Sequence, residues 1–238
     1  MLNQIYIKLH FHFGNQNWWP VTLDGDVAPK YHKSIKLSEK QKLEICFGAI
    51  LTQNTSWKNV EKAIAQLNKN QLVDINKIIK MDNEKLAEII KSSGYHNQKS
   101  KKLKNLCLFL KNNYNGNIKK MFSNSITKLR NELLSINGIG PETADSIILY
   151  AAKKPIFVID AYTKRIYSRI FNIKKEFGYD ELQQIFMKEL NNDEKLFNEY
   201  HALLVELGKN ICKKKPLCNQ CPISNMCNYC PIGCLKQQ

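Results

Sequence analysis

No apolar run in this 238-residue chain approaches the roughly 20 residues that a membrane-spanning helix requires. The opening stretch, MLNQIYIKLHFHFGNQ, mixes polar and apolar positions, and no small-residue cleavage site follows it. A secretory leader is therefore not expected, and cytoplasmic residence is. No stretch alternates apolar and polar residues long enough to argue for a sheet. Phe157-Val158-Ile159 is β-prone, but it is short and lies between helical patterns. Internal repeats, linkers and low-complexity segments are also lacking. Acidic residues are scarce, with 21 Asp and Glu against 36 Lys and Arg, giving a net charge of +15. That excess favours a polyanionic partner, nucleic acid first and an anionic membrane surface second. Cysteine is nearly absent from the first 211 residues: only Cys46 and Cys107 occur there, on apolar helix faces, and both read as core. The other six fall between Cys212 and Cys234. In a cytoplasmic chain such crowding suggests a metal centre, not disulfides.

The rest of the chain reads as helices. A short one is predicted over 2–12, with Ile5 and Leu9 inward. Asn17-Trp18-Trp19-Pro20 and a polar loop to about Lys36 follow. Two of the three tryptophans lie in that segment, where they can plug a loop or form a wall on which a base stacks. From Ser38 the pattern turns helical through Leu43, Phe47, Ile50 and Leu51. Leu51-Thr52-Gln53-Asn54-Thr55-Ser56-Trp57 interrupts it, with Ser56 or Thr55 as cap of the next helix. Lys99, Lys101, Lys102 and Lys104 gather near the start of a later helix, against the dipole preference, which hints at an external phosphate. Past residue 160, helices are predicted over about 160–170, 179–190 and 194–208.

Two motifs carry chemistry. In LRNELLSINGIGPETADSIILYAAKKPIFVIDAYTKR (129–165), a helix ends at Asn137-Gly138-Ile139-Gly140 and another begins at Pro141. Gly138 can take the positive φ that a helix end needs, and proline suits the first turn of the next helix. Glycines there allow close approach of another molecule, and amides at such a turn suit a phosphate. A single acid, Asp160, follows the second helix. The second motif is Cys212, Cys218, Cys221 and Cys227, spaced C-x5-C-x2-C-x5-C. Four thiolates in so short a loop can close around tetrahedral zinc or a [4Fe–4S] cube. Cys230 and Cys234 are further thiols that could compete for the fourth position.

Hairpin, buried-looking helix and Val158-Ile159-Asp160, in that order, resemble the helix-hairpin-helix DNA glycosylases of the endonuclease III superfamily. The resemblance implies an all-α fold of two domains. A helical barrel would span residues 35–152 with the hairpin. A discontinuous cluster domain would comprise 1–34 and 153–238, with its loop at 212–227, and the flipped base would sit between them. It also implies that Gly138, Ile139 and Gly140 grip a DNA phosphate and that Asp160 is catalytic. Gln53 would fill the gap left by the extruded base, and the four cysteines would hold a [4Fe–4S] cluster, with zinc as the alternative. The best-known family spacing has one more residue in the first gap, so this chain departs by one. Lys164-Arg165 and Lys213–Lys215 would contact the backbone.

Family members that also nick the strand carry a lysine two residues after the last hairpin glycine; here Glu142 stands there, so a Schiff base is not expected. Glu142, Trp18, Trp19, Pro20 and Trp57 look like the 3-methyladenine glycosylase branch, where such aromatics line the base pocket. The branch member most like it lacks the cysteine cluster. The expected function is thus monofunctional excision of an alkylated purine from duplex DNA, by a nucleoid-associated monomer with no membrane partner. The alternatives are a bifunctional glycosylase/lyase for oxidised pyrimidines using an amine such as Lys164, a mismatch uracil or thymine glycosylase, and a redox-sensing iron–sulfur DNA-binding protein.

Overall fold

The computed structural model describes residues 1–33 and 35–229; Cys230 and Cys234 lie outside the described residues. The architecture is all-α: among the described residues no strand forms, and the single β-bridge joins Val21 to Lys30. No helix among them is long and apolar enough to cross a membrane. The chain divides into two units, residues 17–154 and residues 1–16 with 155 onward.

The first unit contains α2 (Glu39–Leu51), α3 (Trp57–Lys69), α4 (Ile75–Lys80), α5 (Asn83–Ile89), α6 (His96–Tyr114), α7 (Ile118–Phe122), α8 (Ile126–Leu134) and α9 (Pro141–Ser146). Its centre is α2. Ser38 caps α2 with a capping box closed by Gln41, and every residue from Leu43 to Leu51 is buried. A helix buried on all faces is surrounded by others, and α2 packs on α3, α6, α7, α9 and the π-helical turn Ile147–Ala151 that extends α9.

Residues 17–33, expected in the cluster domain, group with this unit instead. The cause is polar. Buried Glu44 of α2 accepts the Thr22 amide at 2.7 Å and the Asn68 side-chain amide at 2.7 Å, and Asn68 also donates to the Thr22 hydroxyl at 2.9 Å. A buried carboxylate needs such donors, and no hydrophobic period announces them.

The second unit contains α1 (Leu2–Phe13), α10 (Ala161–Ile170), α11 (Tyr179–Glu189) and α12 (Glu194–Asn210), close to the spans predicted. Phe157 stacks on Phe186 at 4.3 Å and meets Phe197 and Tyr200 edge-on, and the Tyr200 hydroxyl donates to the Leu2 carbonyl at 2.9 Å. The β-prone triplet Phe157–Ile159 is buried but forms no strand. Side chains serve its backbone instead: Gln183 donates to the Phe157 carbonyl at 2.6 Å, and Tyr179 takes the Ile159 amide at 3.4 Å. At the crossing of α10 and α12, Gly208 lies so close to Tyr162 that a Cβ would stand 2.6 Å from its ring.

Candidate functional site

Within residues 17–154, α8 and α9 form the expected hairpin. Gly138 sits at φ +95°, and a Cβ there would lie 2.4 Å from Cγ of Lys102. Glycine is therefore required twice, by conformation and by contact. Gly140 is different. Its backbone is extended, and a Cβ would meet nothing within 4 Å, so open space lies beside it. The Ile139 side chain is buried and its amide donates to the Ile136 carbonyl at 3.0 Å, which ties the turn to the end of α8. Glu142 is exposed in the first turn of α9.

A feature missed in the sequence stiffens the hairpin. Asp145 of α9 is fully buried, and its two oxygens accept from Arg130 of α8 at 2.8 and 3.3 Å. The two residues lie fifteen positions apart on different helices, with no spacing rule to pair them. Replacing Asp145 with Asn is expected to cost about 2–4 kcal/mol of stability, because a largely buried guanidinium loses its carboxylate. Urea unfolding measures this; an unchanged midpoint would show that the pair contributes nothing to the clamp.

Nor does the lysine cluster before the hairpin face outward as expected. Lys99 is 1% exposed and donates to the Leu51 carbonyl at 2.9 Å and the Ser93 carbonyl at 2.7 Å, capping two helix ends. Burial, with the charge of Lys102 behind it, lowers its pKa to about 8. Lys104 bonds the Met81 carbonyl, and Lys102 bonds Gln53. Lys101 alone of the four is exposed.

The three tryptophans come together. Trp18, Trp19 and Trp57 meet edge-to-face: Trp18–Trp19 at 5.3 Å, Trp18–Trp57 at 5.0 Å and Trp19–Trp57 at 5.5 Å. All three are half-buried, and Pro20 is buried. Two tyrosines that the sequence did not single out join them. Tyr31, 52% exposed, meets Trp18 at 5.9 Å, and Tyr150 meets Trp19 at 5.2 Å from the π-helical turn, which breaks the helical period. Gly48 makes room for Trp19, since a Cβ there would stand 3.0 Å from the indole. Ser56 begins α3 as expected but makes no side-chain cap bond.

Within the second unit, Asp160 is the N-cap of α10: Oδ1 accepts the Thr163 amide at 2.7 Å, and Oδ2 lies 3.7 Å from Nε2 of His201 on α12. Both side chains keep 12% exposure, so the carboxylate stands at the edge of the core. Burial lowers the His201 pKa below its ordinary value, against an opposing pull from Asp160.

Of the basic pair after Asp160, Lys164 is half-buried. Arg165, expected on phosphate, turns inward instead: it donates to the Cys212 carbonyl at 3.0 Å and the Gly208 carbonyl at 2.9 Å. One turn on, Arg169 reaches Sγ of Cys212 at 3.2 Å and the carbonyls of Lys213 and Lys214 at 2.6 and 2.9 Å. Carbonyls of the cysteine loop were unreadable as partners in the sequence.

Cys212, Cys218, Cys221 and Cys227 are partly exposed and form no disulfide. Among the described residues no group of three or more His, Cys, Asp or Glu side chains is closed into metal-holding geometry. The thiol of Cys221 is nevertheless pushed up to about 11, by burial first and then by charge on Cys212, Cys227 and Cys218.

Residues 47–192 match the family described as HhH-GPD superfamily base excision DNA repair protein. A Methanocaldococcus jannaschii protein named as a DNA repair glycosylase is 46% identical over 225 residues, covering 94% of each chain. Endonuclease III of Thermotoga maritima is 28% identical over 198 residues, covering 83% of this chain and 85% of that protein. Among solved structures, H. pylori 3-methyladenine DNA glycosylase bound to 1,N6-ethenoadenine superposes with a TM-score of 0.69 at 27% identity, covering 87% of this chain and 97% of that one. A trapped endonuclease III–DNA covalent intermediate superposes with a TM-score of 0.74 at 20% identity and 96% coverage of both, which speaks for the fold alone.

Proposed function

The chain belongs to the HhH-GPD superfamily of base excision DNA repair proteins, and we propose that it is a monofunctional glycosylase that hydrolyses the N-glycosidic bond of an alkylated purine such as 3-methyladenine in duplex DNA. The tryptophan trio carries this reading. Three indoles held edge-to-face, with Gly48 and Tyr150 setting Trp19, offer electron-rich faces. A cationic alkylated base gains about 0.5–2 kcal/mol on such a face. Likeness to the 3-methyladenine glycosylase structure supports the same choice.

Several roles follow. The nucleotide must leave the stack before its glycosidic bond can be reached. The hairpin at Gly138–Gly140 holds the strand, with open space beside Gly140 for a phosphate. A cationic base is already a good leaving group, so a strong general acid is unnecessary. Asp160 supplies the negative charge that an oxocarbenium-like transition state requires, or activates the attacking water. Glu142, a second carboxylate, stands where a lyase would carry its amine and cannot form a Schiff base. Cys212, Cys218, Cys221 and Cys227 would hold a [4Fe–4S] cluster, a donor set that fits four thiolate ligands. When bound, such a group supplies a structural staple for a loop that presents Lys213, Lys214 and Lys215, all exposed, to the DNA backbone.

The test is a panel of lesion-bearing duplexes with borohydride present. Free 3-methyladenine from methylated DNA, an intact strand at the abasic site and no trapped adduct are expected. Nicking at oxidised pyrimidines with a trapped adduct would overturn the monofunctional reading, and binding without base release would overturn alkylpurine excision.

A further inference from the structure

Resting on the reading that the hairpin holds the DNA strand, we infer that Gln53 is a positioning residue that locks the hairpin together with Lys102, and that it does not fill the space left by the extruded nucleotide. Three bonds hold its side chain. The Gln53 amide nitrogen donates to the Gly138 carbonyl at 3.1 Å and to the Thr143 hydroxyl at 2.9 Å, while its oxygen accepts from the Lys102 ammonium at 2.5 Å. Lysine only donates and a peptide carbonyl only accepts, so these partners dictate which end of the amide is oxygen.

No hydrogen of that amide nitrogen is left over, and its oxygen is held by a charge. Leaving for the duplex would cost Gln53 all three bonds, one of them charge-assisted, and would leave the Lys102 ammonium facing a vacated partner. The bonds join the turn of the hairpin to the helix that follows it, since Gly138 is in the turn and Thr143 is buried in the first turn of α9. α6 reinforces the lock. Its Lys102 stem lies against Gly138, which is glycine in part for that reason, and Asn105, one turn on, donates to the Asn137 carbonyl at 3.0 Å. Consecutive carbonyls of the turn are thus tied to α6 and to the end of α2. A clamp that grips phosphate gains affinity from rigidity of this kind, because less ordering remains to be done on binding.

Locking and gap filling predict opposite results. Gln53→Ala, Lys102→Met and the double variant are compared for binding to an undamaged duplex and for single-turnover base release at saturating enzyme, on duplex and on single strand carrying the same lesion. Lys101→Met, which removes an exposed charge nearby, is the control. If Gln53 locks the hairpin, either single change weakens binding to undamaged duplex about tenfold, the double change adds little, and release once bound is unaltered. Gln53→Glu, which keeps the lysine contact but sets a carboxylate against the Gly138 carbonyl, falls at least as far as Gln53→Ala. Normal binding of undamaged duplex by Gln53→Ala, with slower release from duplex but not from single strand, would establish gap filling and overturn the proposal. A loss in Lys102→Met no larger than in Lys101→Met would also overturn it. Should Gln53→Ala fail a thermal-unfolding check, Lys102→Met carries the test. A wild-type protein that neither binds undamaged duplex nor releases any base refutes the strand-holding reading itself, a result separable from every variant effect.

Discussion

Asp160→Asn is expected to slow base release about 10³-fold or more while leaving the fold intact, since pre-set charge at the reacting centre is usually the largest single contribution to the rate. The geometry makes this variant unusually clean. Asp160 begins α10 by accepting the Thr163 amide at 2.7 Å. Asparagine is an equally good N-cap, whereas alanine would forfeit about 0.5–2 kcal/mol. Burial already disfavours the charged form of His201, and losing the carboxylate that opposes that shift disfavours it further. What vanishes is the negative charge that, in the proposed mechanism, would stabilise positive charge on the sugar. Single-turnover release from alkylated duplex, with thermal unfolding and duplex binding measured alongside, separates the two outcomes. Full activity in Asp160→Asn would remove Asp160 from the chemistry, and the monofunctional mechanism with it.

Much of this fold was legible because helices bury faces at a fixed period. Leu196, Tyr200, Leu203 and Leu207 announced α12, and the predicted 194–208 is observed as Glu194–Asn210. Gly138 and Pro141 marked the hairpin by conformational need. Illegible features share one physical origin: they are polar contacts between positions with no sequence relation. Lysines seek carbonyls at helix ends, and which carbonyl lies within reach is decided only by packing. Lys99, Lys102 and Lys104 therefore looked like a phosphate patch and proved to be internal braces, and Arg165 likewise. The attachment of residues 17–33 through Glu44 followed the same rule. For the site, Trp18, Trp19 and Trp57 could be picked out as aromatics, but their convergence with Tyr150 depends on a π-helical turn that no apolar spacing encodes.

Cys221→Ser is expected to abolish visible iron–sulfur absorption and to disorder the loop at 212–227, and the DNA-binding consequence can be given a size. That loop buries little of its own. Ile223 is its one buried side chain, and its regular structure is two short 3₁₀ turns, Cys218–Gln220 and Ser224–Met226. A single isoleucine cannot offset the conformational entropy of ordering such a segment. Arg165 and Arg169 fasten only its first residues, and the Asn228 amide, which donates to the Ile170 carbonyl at 3.0 Å, fastens its end. Between those anchors the loop has only local turn bonds, such as the Leu217 amide to the Ile211 carbonyl at 3.0 Å; the proposed cluster on the four thiolates would add the missing order, since metal binding in such loops acts as folding free energy. Losing it frees Lys213, Lys214 and Lys215 from a fixed placement. If each neutralises one phosphate, the slope of log affinity against log salt flattens by about 2–3, since each contact contributes about 0.9 for duplex DNA. Replacing the three lysines by alanine with the cysteines intact should flatten the slope equally while keeping the absorption. A colourless wild-type protein containing zinc would correct the metal but preserve the loop argument. A Cys221→Ser protein with unchanged affinity and salt slope would show that the loop holds its shape, or stands clear of DNA, without any metal.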